Sequence, residues 1–556
     1  MDLKLDHMKT MIIISVLVCY TIAGYSKDPD QNTSGTGFDA TPTSDVFRST
    51  YGVSSGVSDF SGTSIQQTTD GGFISTGYTS NFGAGNEDIY LLKTSSTGDI
   101  QWTASFGGPA ADDGNFVVQT SDGGYAITGV TSSFGGRYIF LLKTDQNGTL
   151  TWTKVYGSST IGSNSSASSL QQTDDGGFLL AGNTSNFGAG MDDFYLLKTD
   201  SNGNLLWTKT YGGLMNDDAT FAAQTSDGGY IIAGTTSSFG NQMGNILLVK
   251  TDGNGGVLWA KVYDSDLNDA LEKGFSVKET TDYGYIIAGS LVSTSEGVNA
   301  LLIKTDVTGQ IQWFNIFNNV ADGSDLIFTS TKQLSDGGFI ATGYIDNFST
   351  GYDNFYLLRT SSNGNMLWTR TYGSTSNDVA NCVGLTNDGG FILAGKSVSS
   401  LGNKYLSVIK TDSGGNTTCD QFVSDITLRT DINIFANDVI PMVSSGGMFH
   451  TVSVVSASGG TILNVCGFFG VGDLTNQGNK VTVYPNPSPS NVTFHLESNE
   501  QNPVLHVYDM TGLQIVQITF SGKEIVLGQS DLPEGMYFFR IQSNGGLVGS
   551  GKFIIE

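Results

Sequence analysis

The feature that most constrains this chain is a unit of sequence that recurs seven times. Each copy opens on an Asp-Gly-Gly turn, at Asp70, Asp122, Asp175, Asp227, Asp336 and Asp388, with the variant Asp-Tyr-Gly at Asp282. The spacings are 52, 53, 52, 55, 54 and 52 residues. An apolar strand follows the turn, and further on comes a second one ending in Lys-Thr or Arg-Thr (Lys93, Lys143, Lys198, Lys250, Lys304, Arg359, Lys410). A Gly-containing turn and a strand opened by tryptophan complete the unit, and Trp102, Trp152, Trp207, Trp259, Trp313 and Trp368 are all the tryptophans the chain has. Four short strands per unit, joined by turns whose Gly, Asn and Asp residues supply positive φ, predict a radial array of four-stranded sheets. A β-helix would use shorter coils, and an immunoglobulin array longer units. The expected fold is therefore all-β, a seven-bladed β-propeller over residues 45–419.

The copy count also predicts how the ring closes. The seventh copy has Cys419 where the tryptophan should stand, whereas Phe47-Arg48-Ser49-Thr50-Tyr51-Gly52 matches Trp368-Thr369-Arg370-Thr371-Tyr372-Gly373 position by position. An N-terminal strand over 46–52 is thus expected to complete the last blade and remove two open edges.

Charge and leader narrow the function classes. With 52 acidic and 26 basic residues the net charge is -26, which repels nucleic acid and anionic lipid. A basic start, an apolar run over 11–24 and small residues after it read as a signal peptide over 1–26, followed by a flexible segment, 27–44. Val18 before Cys19 does not fit a lipoprotein signal, and no later run is long enough for a membrane-spanning helix, so an exported monomer is expected. Cys382 takes the place of Phe116 and Phe221 in other copies and reads as a core residue. Cys419 and Cys466 are left for an oxidising compartment, where pairing stays open.

What every copy shares is most simply explained by what every blade needs. The Asp-Gly-Gly aspartates are read as hydrogen-bonding their own turns, the Asp-x-Asn-Gly stretches at Asp145, Asp200 and Asp252 as hairpin turns, and the tryptophans as packing between blades. No cofactor is required by these readings, and calcium is the ion such carboxylates would take. Of the histidines, His7 lies in the leader and His450, His495 and His506 lie beyond the repeats, leaving the ring no histidine base for a nucleophile. The loops on the face opposite the Asp-Gly-Gly turns carry Glu87, Asp112, Asp192 and Asp217, and the candidate ligand residues Asp88, Asp113, Asp193, Asp218, Asp269, Asp325, Asp353 and Asp378. That rim reads either as carboxylates satisfying loop amides and the repeated lysines, or as a surface for cations, a glycan or a basic protein. The irregular loops 264–274 and 318–325 are where specific recognition is expected.

Residues 420–479 lose the repeat and read as a β-rich connection and linker. From 480 to 556 alternating apolar positions and Gly/Pro turns predict a small antiparallel sandwich. Tyr484-Pro485-Asn486-Pro487, the stretch Val507–Gly512 with Asp509 and Gly512, Gly535, Tyr537, and the terminal Gly551-Lys552-Phe553 resemble the type A C-terminal sorting domain of proteins exported by the type IX secretion system of Bacteroidetes. The ring also resembles the propeller-repeat regions of such proteins. The resemblance implies passage through the periplasm, contact with the type IX machinery, and release or attachment at the cell surface, often with removal of the last domain. Binding or scaffolding is the expected role; the alternative is a polysaccharide-acting hydrolase or lyase built on the ring.

Overall fold

The computed structural model describes residues 46–52, 57, 59–158, 164–241, 243–295, 297–318, 325–347, 352–373, 377–398, 401–417, and shorter stretches within 421–457 and 481–555. The signal peptide and Cys19, the segment 27–44, Cys419, Cys466 and the linker 458–480 lie outside the described residues. All regular structure described is β, and the chain divides into two compact units, with the repeats in the first.

Each of the first six repeats folds into one antiparallel sheet whose first four strands are consecutive in the chain. Sheets 1 to 6 span residues 60–107, 112–157, 165–212, 217–265, 270–318 and 326–372. Sheet 7 has three strands over 378–411 and takes its fourth from Phe47–Tyr51, in antiparallel register with Phe47 opposite Lys410 and Tyr51 opposite Leu406. That is the register in which Trp368 faces Arg359 and Trp102 faces Lys93 in their own sheets.

Successive sheets pack face to face, and the repeated residues do the packing. Trp102 lies 5.7 Å from Tyr125 of the next sheet, Trp152 6.1 Å from Phe178, Trp207 5.8 Å from Tyr230, Trp259 5.8 Å from Tyr285, Trp313 5.6 Å from Phe339 and Trp368 6.1 Å from Phe391. Phe47 makes the equivalent contact from sheet 7 to Phe73 of sheet 1, at 6.0 Å. Beside each aromatic the neighbouring hairpin must carry glycine: a Cβ on Gly148, already at φ +79°, would stand 2.7 Å from the Trp102 ring. In five copies a tyrosine four residues on donates to that hairpin's carbonyl, as in Tyr156 to Gly203 (2.7 Å), Tyr263 to Gly309 (2.8 Å) and, from sheet 7 to sheet 1, Tyr51 to Gly98 (2.6 Å), and Phe106 and Phe317 stand in the other two.

Polar links run along the inner strands as well. The Gln119 side chain accepts from the Thr69 amide, Gln172 from Ser121, Gln224 from Asp174 and Gln333 from Thr281, and Gln67 of sheet 1 accepts from Asn387 of sheet 7 (2.8 Å). Asn381 of sheet 7 donates to the Gly62 carbonyl of sheet 1 at 2.7 Å. The seventh sheet is therefore bonded to the first by the same kind of glutamine link that joins sheet 1 to 2, 2 to 3, 3 to 4 and 5 to 6.

Beyond the repeats the chain turns back along their outer edges. Gln421–Phe422 pairs with the outer strand of sheet 6, Thr427–Arg429 with sheet 5, Ile434–Asp438 with sheet 4, Met442–Ser444 with sheet 3, Met448–Thr451 with sheet 2 and Val455–Ala457 with sheet 1. One segment thus gives six sheets a fifth strand, visiting them in reverse order, and covers edges that would otherwise offer unpaired amides. It is anchored by Lys261 to Asp438 (2.5 Å), by Asn433 to Asp266 (2.9 Å), and by Ile432 and Ile434, which are buried. The described residues within 421–457 include six short strands, and what those strands pair with is not visible in the sequence.

The second unit contains two antiparallel sheets. Val481–Tyr484, Asn491–Leu496 and Glu524–Gly528 form one, and Gln514–Thr519, Val504–Tyr508, Gly535–Ser543 and Gly546–Ile555 the other. Phe494 of the first sheet meets Phe539 and Phe553 of the second at 4.9 and 5.2 Å, closing a core with Val492, Leu505, Val507, Ile541 and Ile555.

Candidate functional site

Each sheet has a turn end, carrying Asp-Gly-Gly, and a loop end, and aspartates behave differently at the two. At the turn end the Asp175 side chain accepts from the Gly177 amide at 2.9 Å, and Lys198 lies 2.8 Å from it while donating to the Thr199 carbonyl. Asp70 with Lys93, Asp122 with Lys143, Asp227 with Lys250 and Asp282 with Lys304 repeat this at 2.9 Å, and Asp388 with Lys410 at 2.7 Å. Arg359 takes the lysine's part with Asp336. The aspartates are half-exposed and the lysines buried, so each carboxylate neutralises an ammonium enclosed by the sheet. Partial burial works against ionisation, but Lys198 and the Thr173 hydroxyl pull Asp175 down to about 2, and Lys250 and Thr225 do the same for Asp227. At the hairpins Asp145 accepts from the Asn147 and Thr149 amides, both at 2.8 Å, and Asp200 and Asp252 repeat the pattern.

At the loop end the candidate ligand residues separate into buried and accessible sets. Asp88, Asp193 and Asp378 are 1%, 0% and 1% exposed, and so present no surface to a ligand. Asp193 accepts from the Ala189 amide at 3.0 Å, Asp88 from Gly85 at 3.2 Å, and Asp378 is paired with Arg48 of the N-terminal strand at 3.3 Å. Asp88 stands with Asp112, and Asp193 with Asp217, against one glycine each. A Cβ on Gly107 would lie 1.9 Å from Asp88 Oδ1 and 2.9 Å from Asp112 Oδ2, and Gly212 is flanked in the same way. Asp112 and Asp217 are held by amides and serines: Gly108 and Ser133 donate to one at 2.7 and 2.8 Å, Gly213 and Ser238 to the other at 2.7 Å. Burial, with Asp112 adding repulsion, raises Asp88 to about 6; burial and Asp217 raise Asp193.

The other five, Asp113, Asp218, Asp269, Asp325 and Asp353, are half-buried or exposed. Asp218 is exposed and accepts from Asn183 at 2.7 Å; Asp113 is half-buried, raised to about 6 by burial and by Glu87. Asp353 and Asp346 are cross-strand partners in sheet 6, and Asp325 bonds the Asp346 amide through its carbonyl. Burial and those two carboxylates raise Asp353 to about 7. Asp269 is lowered, its carboxylate accepting chiefly from Thr294 (2.5 Å) and also from Ser293 (3.0 Å). In the irregular loop 264–274, Glu272 is fully buried against Ser265 and raised to about 7 by burial, and Asp266 is engaged by Asn433. Of the other irregular loop, residues 319–324 lie outside the described residues. Among the described residues no group of three or more His, Cys, Asp and Glu side chains is arranged to hold a metal ion. Sequence reasoning noted Tyr283 only as a variant of the turn and missed two other residues that depart from the repeat at the turn end, Lys278 and Lys332, although alignment of the copies exposes both.

In the second unit the sorting-motif residues serve packing. Tyr537 is buried and stacks on Phe553 at 5.5 Å; a Cβ on Gly551 would stand 2.8 Å from the Phe539 ring, so glycine is required there. Lys552 is exposed, opposite Phe538, and Gly535 begins the strand that carries Tyr537. Tyr484 precedes Pro485 and donates to Glu524 at 3.2 Å, and His495 meets the same carboxylate at 2.9 Å. Asn486, Pro487, Asp509 and Gly512 lie outside the described residues.

Residues 482–556 match the family model of the secretion system C-terminal sorting domain. No curated protein matches the chain. Among solved structures, PorZ of Porphyromonas gingivalis, described as an essential bacterial surface component of the type IX secretion system, aligns with 10% identity and a TM-score of 0.34. The alignment covers 88% of this chain and 58% of that one, so the chain spans under two thirds of the structure it is similar to.

Proposed function

We propose that this chain, whose sorting domain marks it for the cell surface or beyond through the type IX system, is a seven-bladed β-propeller that binds or scaffolds once outside. The proposed domains are a ring over 45–419 closed by the N-terminal strand, a segment over 420–479 whose strands bind the outer edges, and an export domain over 480–556. Support for closure comes from Phe47, Tyr51, Asn381 and Gln67, which link sheets 7 and 1 by contacts of the kinds that recur between other successive sheets.

The observation that favours binding over polysaccharide cleavage is the burial of the two carboxylate pairs that are each set against one glycine. A glycosidase needs two carboxyl groups flanking a bond that a sugar can reach. Asp88 with Asp112, and Asp193 with Asp217, are at most 1% exposed and sealed between sheets. The reading expects the purified chain to retain particular glycans or surface proteins on an array without releasing new reducing ends or unsaturated sugars; sustained turnover would overthrow it. The export half is tested by cutting the chain after Gly478, which should strand a folded ring in the periplasm. Recovery of the truncated chain outside at the parent's level would contradict it.

A further inference from the structure

The seven copies differ most consequentially at the turn end. Four residues before each turn aspartate the chain places Gln66, Val118, Gln171, Ala223, Lys278, Lys332 and Gly384, so only sheets 5 and 6, which are neighbours, carry a cation there. One residue later sheet 5 has Glu279 where five copies bond the preceding sheet through glutamine. In the turn itself Tyr283 stands at φ +64°, where the other six copies use glycine at +79° to +83°. A side chain in that conformation is strained, and the ring it carries is 62% exposed.

These departures converge. Lys278, Glu279, Tyr283, Lys332, Gln333 and Ser226 line one open cavity of about 510 Å³ where sheets 4, 5 and 6 meet. Its charges do not cancel. Asp227, Asp282 and Asp336 are each committed to Lys250, Lys304 and Arg359, and Glu279 is held by the Ser226 amide and hydroxyl at 2.7 and 3.1 Å. Lys278 Nζ lies 4.1 Å from the centre of the Phe221 ring, and neither it nor Lys332 has a carboxylate partner among the described residues. Burial and the charge of Lys332 hold Lys278 well below the usual lysine range. Two lysines are thus left side by side, half-buried and unneutralised, in a chain of net charge -26.

We propose that this cavity binds a small carboxylate-bearing sugar, its carboxylate between Lys278 and Lys332 and the C–H face of its ring on Tyr283. An anion beside Lys278 favours its charged form, offsetting the burial and the Lys332 charge that lower it. An exposed aromatic beside a few fixed polar groups gives a sugar ring both an apolar platform and hydrogen bonds. The site is at the opposite end of the sheets from the acidic loops and independent of how the protein is exported.

The test is calorimetric titration of the full purified chain with glucuronate in low-salt buffer, with glucose and inorganic sulfate as comparisons. Glucuronate should bind and glucose should not. The double variant K278Q/K332Q should lose about tenfold or more in affinity, the loss expected from two charge-assisted contacts. Y283G should weaken glucuronate while raising the thermal midpoint, because it restores the glycine of the other turns, and that rise shows the variant is folded. Absence of glucuronate binding by the parent, or binding unchanged in K278Q/K332Q, would overturn the proposal. Sulfate bound as tightly as glucuronate, with no effect of Y283G, would overturn the sugar assignment.

Discussion

The turn end and the loop end of each sheet use aspartate in opposite ways. At the turn end Asp175 and its equivalents are half-exposed, bonded to backbone amides and set against buried lysines, so ionisation is favoured. At the loop end Asp88 and Asp193 are enclosed beside a second carboxylate, so ionisation is opposed. Residue type alone therefore says little about role. What decides it is whether the sheet offers the carboxylate a cation or another carboxylate.

The N-terminal strand Phe47–Tyr51 touches both ends of sheet 7 at once, and its removal is the most severe test of the comparison. Phe47 packs at the turn end and Arg48 pairs with Asp378 at the loop end. Deleting residues 44–53 should cost more than about 5 kcal/mol and promote association through the uncovered edge of sheet 7, read by thermal melting and sedimentation. A melt and a profile like the parent's would break the account of closure. Next in size is W259A: Trp259 is half-buried between Tyr285 and the Gly309 hairpin, and its truncation should cost about 2–4 kcal/mol in denaturant unfolding.

At the loop end D88N should have the reverse sign. It removes a charge that the folded state resists, so above about pH 7 it should stabilise by roughly 1–2 kcal/mol, and by little near pH 4, where the parent is already protonated. Destabilisation by D88N above pH 7 would mean that the pair holds an ion. Smallest is the turn end: D175A should cost about 1 kcal/mol, screened because Asp175 is half-exposed, and more than K198M, which replaces a buried ammonium with an apolar chain. Equal losses would show that the partners are not in the asymmetric environments described.

Much of the repeated region was legible because its contacts fall on residues with a distinctive type. Tryptophans at a fixed distance from a turn announced packing, and Phe47–Gly52 announced the strand that pairs beside Lys410. The edge-covering strands were not legible, since they attach by backbone hydrogen bonds to which most side chains are indifferent, and a period of one short strand per sheet leaves no repeated motif. The loop-end acids were grouped as one rim, whereas alternation along the strand turns Asp217 inward and Asp218 outward. Strand periodicity would have separated those two, but the burial of Asp88 depends on Gly107 and Asp112 of following strands. The Lys278–Lys332 pair was hidden by reading the copies for what they share.

The central claim is that burial opposes the ionisation of Asp88, Asp113, Asp353 and Glu272 at the loop end, while the turn-end carboxylates hold lysines. Thermal unfolding of the parent across pH, with and without a chelator, tests it most directly. Turn-end aspartates have folded values below their unfolded ones, so their stabilisation is present above about pH 4 and lost as the pH falls towards 2. Asp88 and Asp113 near 6, and Asp353 and Glu272 near 7, have folded values above their unfolded ones; their contribution is full below about pH 4 and lost as the pH rises through 6 to 7. The account predicts a midpoint highest near about pH 5, lower at both extremes and unaffected by chelator. A midpoint that climbs from about pH 5 to 8 and collapses on chelation would show that these carboxylates are ionised around a bound cation, and would contradict it.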